Sequence, residues 1–139
     1  MVCNFFGEGA RFHHVGLAVK SIQDINSAAE IFDDEVQRSL VAFINLNGIT
    51  IELVQPNGEG SPVARSVQAG IKLLHVCYEV PDLDAVLASC RAFGFHRIGP
   101  PEPAVAFEGR RIAWVLSRAY GLFELLERNK GANSSTRHT

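Results

Sequence analysis

The sequence predicts an α+β fold built from two similar modules, each containing one strand, a helical connector and three further strands. The first indication is an internal repeat, because residues 12–19 resemble residues 73–80 and residues 49–54 resemble residues 121–126. The second is that each early segment contains a His and each late segment contains a Glu. The third is a Pro- and Gly-rich linker at residues 56–62, which separates the two copies.

Composition narrows the class of protein. The chain has 139 residues, 47% of them hydrophobic and 20% charged, which is typical of a globular domain. A net charge of -2 favours neither nucleic acid nor an acidic membrane surface as a partner. No apolar run reaches the length of about 18 residues needed for a membrane span, and no signal peptide is evident. Three cysteines, without a Cys-x-x-Cys pair, fit reduced thiols in a cytoplasmic protein.

The first module is predicted to begin with a strand over residues 12–19. Its alternation places His14, Gly16 and Ala18 on one face. The other predicted elements of this module are a short helical turn within residues 20–28, a hairpin over 30–43, a strand over 40–44 and, after the Asn47-Gly48 turn, a strand over 49–55. A short helix over residues 63–69 follows the linker and ends at Gly70.

The second module is predicted to contain a longer helix. A strand over residues 73–80 ends at Pro81, and Asp82 is a good N-cap for a helix from Leu83 to about Phe93, which Gly94 ends. The remaining predicted elements are a short strand over 95–98, an irregular segment over 99–103, a turn at Glu108-Gly109, and strands over 112–116 and 122–126. We expect one domain over residues 12–128, with modules at 12–56 and 73–128 and a disordered tail at 129–139.

The two modules differ in length at the predicted helix. His14 precedes Glu52 by 38 positions, whereas His75 precedes Glu124 by 49. The missing residues would make about three helical turns, so the helix of the first module is predicted to be shortened. Such a loss leaves apolar sheet surface uncovered, and we expect a homodimer to bury it.

The repeated His and Glu residues form a candidate metal site. A single His in a strand is more often structural, and a single Glu in a strand more often faces water. Four such residues at equivalent places of the two copies instead favour a common metal site. They are His14, Glu52, His75 and Glu124. Two imidazoles and two carboxylates suit divalent Mn, Fe, Co, Ni or Zn and leave open coordination positions. An open site of this kind can polarise a carbonyl group and stabilise an enolate, while a nearby carboxylate moves the proton.

Other charged residues give weaker indications. Arg110 and Arg111 follow a turn and are candidate substrate-binding residues for a carboxylate or phosphate, although a solvated rim pair is the simpler reading. An acidic cluster formed by Glu30, Asp33, Asp34 and Glu35 is most simply a solvated hairpin, or supplies a second base if the hairpin lines the pocket. His13 and His96 have no histidine at the equivalent position of the other copy, and they are expected to be structural or exposed.

Five segments carry a family resemblance: HHVGLAV at 13–19, IELVQP at 51–56, LHVCYEVPDL at 74–83, GRRIAW at 109–114 and FELLE at 123–127. Through these segments the chain resembles the vicinal oxygen chelate superfamily, which includes glyoxalase I, extradiol dioxygenases, bleomycin-resistance proteins and methylmalonyl-CoA epimerase. It is most similar to the epimerase-like branch. The resemblance implies paired βαβββ modules whose sheets curl around one metal.

The resemblance also implies roles for the repeated residues. The metal ligands fall on His14, Glu52, His75 and Glu124, and Glu124 is also implicated in proton transfer. Epimerases of this family usually have Gln at the second ligand position, whereas bacterial-type glyoxalase I has Glu, as this chain does at Glu52.

Three functions follow as hypotheses. The first is a metal-dependent isomerase or epimerase of a small acyl or 2-oxo compound, such as a coenzyme A thioester, with Glu124 or an acidic hairpin residue as the base. The second is a glyoxalase I-type lyase acting on a glutathione hemithioacetal, which Glu52 favours. The third is a small-molecule-binding protein without catalysis. All three expect a small-molecule ligand and neither nucleic acid nor membrane.

Overall fold

Eight strands form one mixed sheet within residues 1–129, the part of the chain that the computed structural model describes. In chain order the elements are β1 (Arg11–Ala18), α1 (Ile22–Ile25), β2 (Phe32–Asp34), β3 (Ser39–Leu46), β4 (Ile49–Pro56), α2 (Ala64–Gln68), β5 (Leu73–Val80), α3 (Leu83–Ser89), β6 (His96–Pro103), β7 (Arg111–Ser117) and β8 (Gly121–Glu127). Two 3-10 turns follow α3 and β6, at Cys90–Phe93 and Val105–Phe107.

The sheet joins two equivalent halves at its centre. The strand order is β2-β3-β4-β1-β5-β8-β7-β6. Within the halves, β1 pairs with β4 in parallel and β5 pairs with β8 in parallel, while the halves meet through the antiparallel pair β1 and β5. This confirms the predicted α+β fold of paired modules, whose sheet curls around a buried pocket. The domain limits at 12–128 stay a prediction, and the tail predicted at 129–139 lies beyond the described residues except for Asn129.

Local sequence signals account for the main turns and helix ends. Asn47 and Gly48 have φ angles of 50° and 89°, as a tight hairpin turn between β3 and β4 requires. The Asp82 carboxylate accepts a hydrogen bond from the N–H of Ala85 at 3.1 Å and caps α3. The helix tightens into the 3-10 turn and stops at Gly94, whose φ is 87°.

One prediction about local structure was wrong. β6 runs to Pro103, although residues 99–103 were expected to be irregular. This strand lies at the edge of the sheet, where prolines cost no ladder hydrogen bond, and its pairing with β7 is irregular between Ile98 and Glu102. The N-terminal segment is also ordered by packing, because Phe6 is only 7% exposed and its ring lies 5.0 Å from that of Phe95.

The two halves are covered unequally, as the His-to-Glu spacing predicted. In the second half α3 buries Leu83, Val86 and Leu87 against the sheet. In the first half α1 has only four residues, and Ile22 is its single buried side chain. Exposed apolar side chains remain near this half, with Leu46, Ile49 and Leu73 exposed by 59%, 43% and 60%. No helix in the described part of the chain is both long and apolar enough to cross a membrane.

Candidate metal centre

Four neighbouring strands at the middle of the sheet each contribute one side chain to a single point. His14 comes from β1, Glu52 from β4, His75 from β5 and Glu124 from β8. The strand pairing explains the convergence, because Glu52 and His75 both lie opposite Gly16, while Cys77 lies opposite both His14 and Glu124. The predicted set of four is therefore brought together in the pocket of the sheet.

The four ligand atoms lie at nearly equal separations. His14 Nε2 lies 3.0 Å from Glu124 Oε1 and 3.5 Å from Glu52 Oε1. His75 Nε2 lies 3.2 Å from Glu52 Oε1 and 3.5 Å from Glu124 Oε1, and the two Nε2 atoms are 3.4 Å apart. All four residues are buried, with exposed fractions between 0% and 5%.

This arrangement fits a divalent cation. Bond lengths of about 2.0–2.2 Å place neighbouring ligands of a tetrahedral or octahedral ion about 3.0–3.5 Å apart, which matches the separations here. Within residues 1–129, Glu124 Oε1 is also the one buried side-chain polar atom that makes no well-aligned hydrogen bond, although the Nε2 atoms of His14 and His75 lie 3.0 and 3.5 Å from it. Leaving such an atom unsatisfied is costly, and a cation at the point of convergence would satisfy it. The mixed imidazole and carboxylate set suits Mn, Fe, Co, Ni or Zn.

The close contact of the four side chains shifts the pKa values of both histidines and of Glu124. Burial disfavours the charged form of His75, but the adjacent carboxylates of Glu124 and Glu52 outweigh it and raise the pKa of His75 to about 9. The same balance raises the pKa of His14. Burial also disfavours the charged form of Glu124, yet the two imidazoles lower its pKa to about 2. A metal ion that binds to His75 at neutral pH must therefore displace its proton.

Small residues make room for the ligands. Gly16 lies directly beneath the His75 ring, and a Cβ atom there would overlap His75 Cε1. Cys77 fills the space between His14 and Glu124 and is completely buried. Burial, followed by the nearby Glu124 carboxylate, raises the pKa of the Cys77 thiol well above its usual range. Burial therefore favours the neutral thiol form of Cys77, which is a poor metal ligand.

A cavity of about 390 Å³ opens beside the four ligands. Its lining includes Glu52, His75 and Glu124, together with an apolar wall that contains Phe107 and Trp114. The Trp114 ring packs edge-on against the His75 ring at 4.8 Å. The cavity is thus a mostly apolar chamber with its reactive groups on one side, as is typical of small-molecule sites.

Asp34 is a site residue that the sequence did not single out from its acidic neighbours. It ends β2, is 5% exposed and lines the cavity, whereas Glu30, Asp33 and Glu35 are exposed. Its Oδ1 accepts a hydrogen bond from the N–H of Gln37 at 3.0 Å. Burial raises the pKa of Asp34, and the carboxylates of Glu52 and Glu124 raise it further. Asp34 is therefore a cavity carboxyl group whose protonated form is favoured by burial and by the neighbouring carboxylates.

Arg110 and Arg111 are both engaged in ion pairs. Arg110 Nη1 lies 3.0 Å from Glu79 Oε2. Arg111 Nη2 lies 2.9 Å from Glu127 Oε1 and 3.0 Å from Asp84 Oδ2. Neither arginine lines the cavity. Substrate binding by these two residues stays a prediction, and it would require these ion pairs to open.

Comparisons with known proteins agree with this geometry. The model of the Glyoxalase/Bleomycin resistance protein/Dioxygenase superfamily matches residues 13–114. The chain is 31% identical over 121 residues to the ethylmalonyl-CoA/methylmalonyl-CoA epimerase of Cereibacter sphaeroides, covering 76% of this chain and 87% of that protein.

Two solved structures share the fold. One is methylmalonyl-CoA epimerase from Mycobacterium tuberculosis, with a TM-score of 0.70 and 20% identity over 96% of this chain and 97% of that chain. The other is a variant of the Streptomyces coelicolor epimerase in complex with 2-nitronate-propionyl-CoA, with a TM-score of 0.65 and 22% identity over 86% of this chain and 95% of that chain. Relatives of this fold therefore include a protein that binds an acyl-CoA derivative.

The raised pKa values predict how metal affinity depends on pH. His75, with a pKa of about 9, holds a proton at neutral pH, so a cation that binds its Nε2 must release that proton, and the pKa of His14 is also raised. The apparent association constant for Zn²⁺ or Co²⁺ should rise about tenfold per pH unit for each proton displaced, between about pH 6 and 8. Competition with a chromophoric chelator measures this constant, and His75→Ala, which lacks one ligand, serves as the non-binding control. A constant that does not change over this range would contradict the proton-loaded cluster.

Proposed function

The chain belongs to the glyoxalase/bleomycin resistance protein/dioxygenase superfamily, and on this premise we propose that it is a metal-dependent isomerase or epimerase. The reaction would move a proton at a carbon next to the carbonyl group of a small acyl or 2-oxo compound, such as a coenzyme A thioester. The observation that carries the proposal is the buried cluster of two imidazoles and two carboxylates beside a cavity, with Glu124 Oε1 left without a well-aligned hydrogen bond.

The four ligand residues have two roles in the proposed reaction, which are to hold a cation and to accept a proton. His14, Glu52, His75 and Glu124 would hold a divalent cation, which supplies Lewis acidity toward a carbonyl oxygen when it is bound. Glu124 has a second carboxylate oxygen and lines the cavity, so it can also accept the proton from the neighbouring carbon. The apolar wall with Phe107 and Trp114 would exclude water from the reacting carbon.

Asp34 supplies the second proton-transfer group of this proposal. Epimerisation removes a proton from one side of a carbon and returns one to the other side, which two separate groups accomplish readily. Asp34 comes from β2 and Glu124 from β8, so the two carboxyl groups belong to different halves of the sheet. Their pKa values are shifted in opposite directions, with that of Asp34 raised and that of Glu124 lowered, which suits one acid and one base.

The division of roles predicts distinct effects for two variants. With methylmalonyl-CoA in deuterated water, Glu124→Gln should lower the rate of epimerisation by about 10²–10⁴-fold, because proton transfer by a positioned base is lost. Asp34→Asn should lower epimerisation by a similar factor but retain hydrogen exchange from one epimer. Mass spectrometry of the recovered thioester measures exchange, and optical assay measures epimerisation.

Asp33→Asn is the matched control, because Asp33 is the exposed neighbour of Asp34 and should leave both rates unchanged. If Asp34→Asn epimerises the thioester at the wild-type rate, Asp34 has no part in the mechanism. If the metal-loaded wild type exchanges no hydrogen from either a thioester or a hemithioacetal, the enzyme proposal fails and a binding protein without catalysis is favoured.

The charge of Glu52 favours a second candidate, a glyoxalase I-type lyase acting on a glutathione hemithioacetal. Two carboxylate ligands neutralise a divalent cation, whereas one carboxylate and one neutral amide would leave a net positive charge. In addition, no lysine or arginine within residues 1–129 lines the cavity. A substrate with an anionic carboxylate on its reacting carbon is therefore attracted only weakly to this site. A substrate without a charge next to the reacting carbon is favoured.

Glu52→Gln tests this charge argument. Removing one negative charge from the cluster should raise kcat/KM for methylmalonyl-CoA relative to the hemithioacetal by at least about tenfold, which corresponds to about 1.4 kcal/mol. The exposed residue Glu59 offers the matched control, Glu59→Gln, which should leave the ratio unchanged. A lower ratio in Glu52→Gln than in the wild type would show that charge balance does not select the substrate.

We also propose a homodimer that covers the exposed apolar side chains near the first half. Leu46, Ile49 and Leu73 are each at least 43% exposed, and α1 is too short to cover them. Light scattering at micromolar concentration should give twice the chain mass of 15.2 kDa. Leu73→Asp should shift the mass toward the monomer, whereas Leu116→Asp, at another exposed leucine, should not. A monomeric wild type would contradict the proposal.

A cytoplasmic location is the remaining part of the proposal. Cys3, Cys77 and Cys90 are all free, so the described structure has no disulfide bond to stabilise it. Free thiols persist in the reducing cytosol and are less common in secreted domains of this size.

A further inference from the structure

We infer that His13 is a positioning residue, which accepts a hydrogen bond from the Nδ1–H of His14 and thereby fixes His14 in the form that presents Nε2 to a cation. This inference rests on the metal centre of the proposed function. It assigns a role to a residue that the internal repeat does not include and that the sequence indicated to be structural or exposed.

A β-bulge brings the two histidines together. In a regular strand, neighbouring side chains point to opposite faces of the sheet. In the pairing of β1 with β5, Phe12 lies opposite Tyr78 and His14 lies opposite Cys77, so His13 has no opposite residue and is the extra residue of a bulge. The bulge turns His13 toward His14, whose Nδ1 lies 2.8 Å from His13 Nδ1.

The contact between two Nδ1 atoms requires that one of them carries a proton. His14 Nε2 faces the two Glu oxygens and His75 Nε2, so it must keep its lone pair if it is to bind a cation. The proton of neutral His14 then lies on Nδ1 and is donated to His13. His13 accepts through Nδ1 and carries its own proton on Nε2.

Phe107 holds both rings in this arrangement. Its ring is stacked on His14, with centroids 5.7 Å apart and an interplanar angle of 24°. It also meets the His13 ring edge-on, with centroids 5.5 Å apart and an angle of 87°. The hydrogen-bonded pair is therefore packed on a common aromatic surface, and this limits rotation of either imidazole.

The second half of the sheet provides an internal comparison. Gly16 lies opposite His75 and Leu17 opposite Leu73, so Leu74 is the unpaired residue there. Leu74 precedes His75 as His13 precedes His14, but its side chain cannot accept a hydrogen bond. Both halves thus keep the bulge, and only the first places an imidazole in it. Leucine at a bulge of this kind is compatible with the fold, which makes His13→Leu a well-matched variant.

Metal affinity tests the inference without any measurement of activity. His13→Leu should weaken Zn²⁺ and Co²⁺ binding by about 10–100-fold, the usual cost of losing the hydrogen-bond partner of a ligating imidazole. His13→Asn, whose side-chain oxygen can replace Nδ1 as the acceptor, should bind within about threefold of the wild type. His96→Leu removes an exposed histidine on β6 and should not change the affinity. Chelator competition provides the constants.

A spectroscopic measurement separates positioning from general packing. In the Zn²⁺-loaded protein with ¹⁵N-labelled histidine, a proton-detected nitrogen spectrum should show a slowly exchanging Nδ1–H on His14. The signal should exchange rapidly in His13→Leu and be restored in His13→Asn. A wild-type spectrum in which His13 carries the Nδ1 proton would overturn the inference, even if His13→Leu did not fold.

The outcomes for the inference and the proposed function are distinct. If the wild type binds neither Zn²⁺ nor Co²⁺, the metal centre of the proposed function fails. If the wild type and His13→Leu bind with equal affinity, the metal centre stands and only the role of His13 is wrong.

Discussion

The burial of two carboxylates and two imidazoles at one point in the middle of the sheet is the constraint on which the rest of this structure depends. Charged groups removed from water are stable only when they are paired or bound to a metal. The ligand atoms already lie 3.0–3.5 Å apart, and Glu124 Oε1 has no well-aligned hydrogen bond. Gly16 is needed because a side chain there would overlap His75.

The repeat makes such a site from simple parts. Each half pairs its first and last strands in parallel, which sets one His beside one Glu, and the antiparallel contact of β1 with β5 brings the two pairs together. Neither half alone holds more than two of the four ligands. A cation held by all four residues would therefore stabilise the contact between the halves as well as fill the site.

The sequence predicted the paired modules and the convergence of His14, Glu52, His75 and Glu124 because strand alternation has a period of two, and the repeat sets equivalent residues on equivalent strands. It did not predict the contact of His13 with His14, because a bulge interrupts that alternation. Asp34 could not be separated from Glu30, Asp33 and Glu35, since its burial depends on the distant strands around the cavity. The sequence also did not predict the ion-pair partners of Arg110 and Arg111. Glu79, Asp84 and Glu127 approach the two arginines only in the folded sheet.

The two halves have come to differ in what they contribute. The first half has a four-residue helix, yet it supplies Asp34 to the cavity and His13 to the ligand His14. The second half supplies α3 and Phe95, and Phe95 packs against Phe5 and Phe6 of the N-terminal segment in an aromatic core. Packing strength is thus concentrated in one half and additional polar groups in the other. Because buried polar groups lower stability unless they are satisfied, the better-packed half offsets the cost of the buried polar groups in the other half.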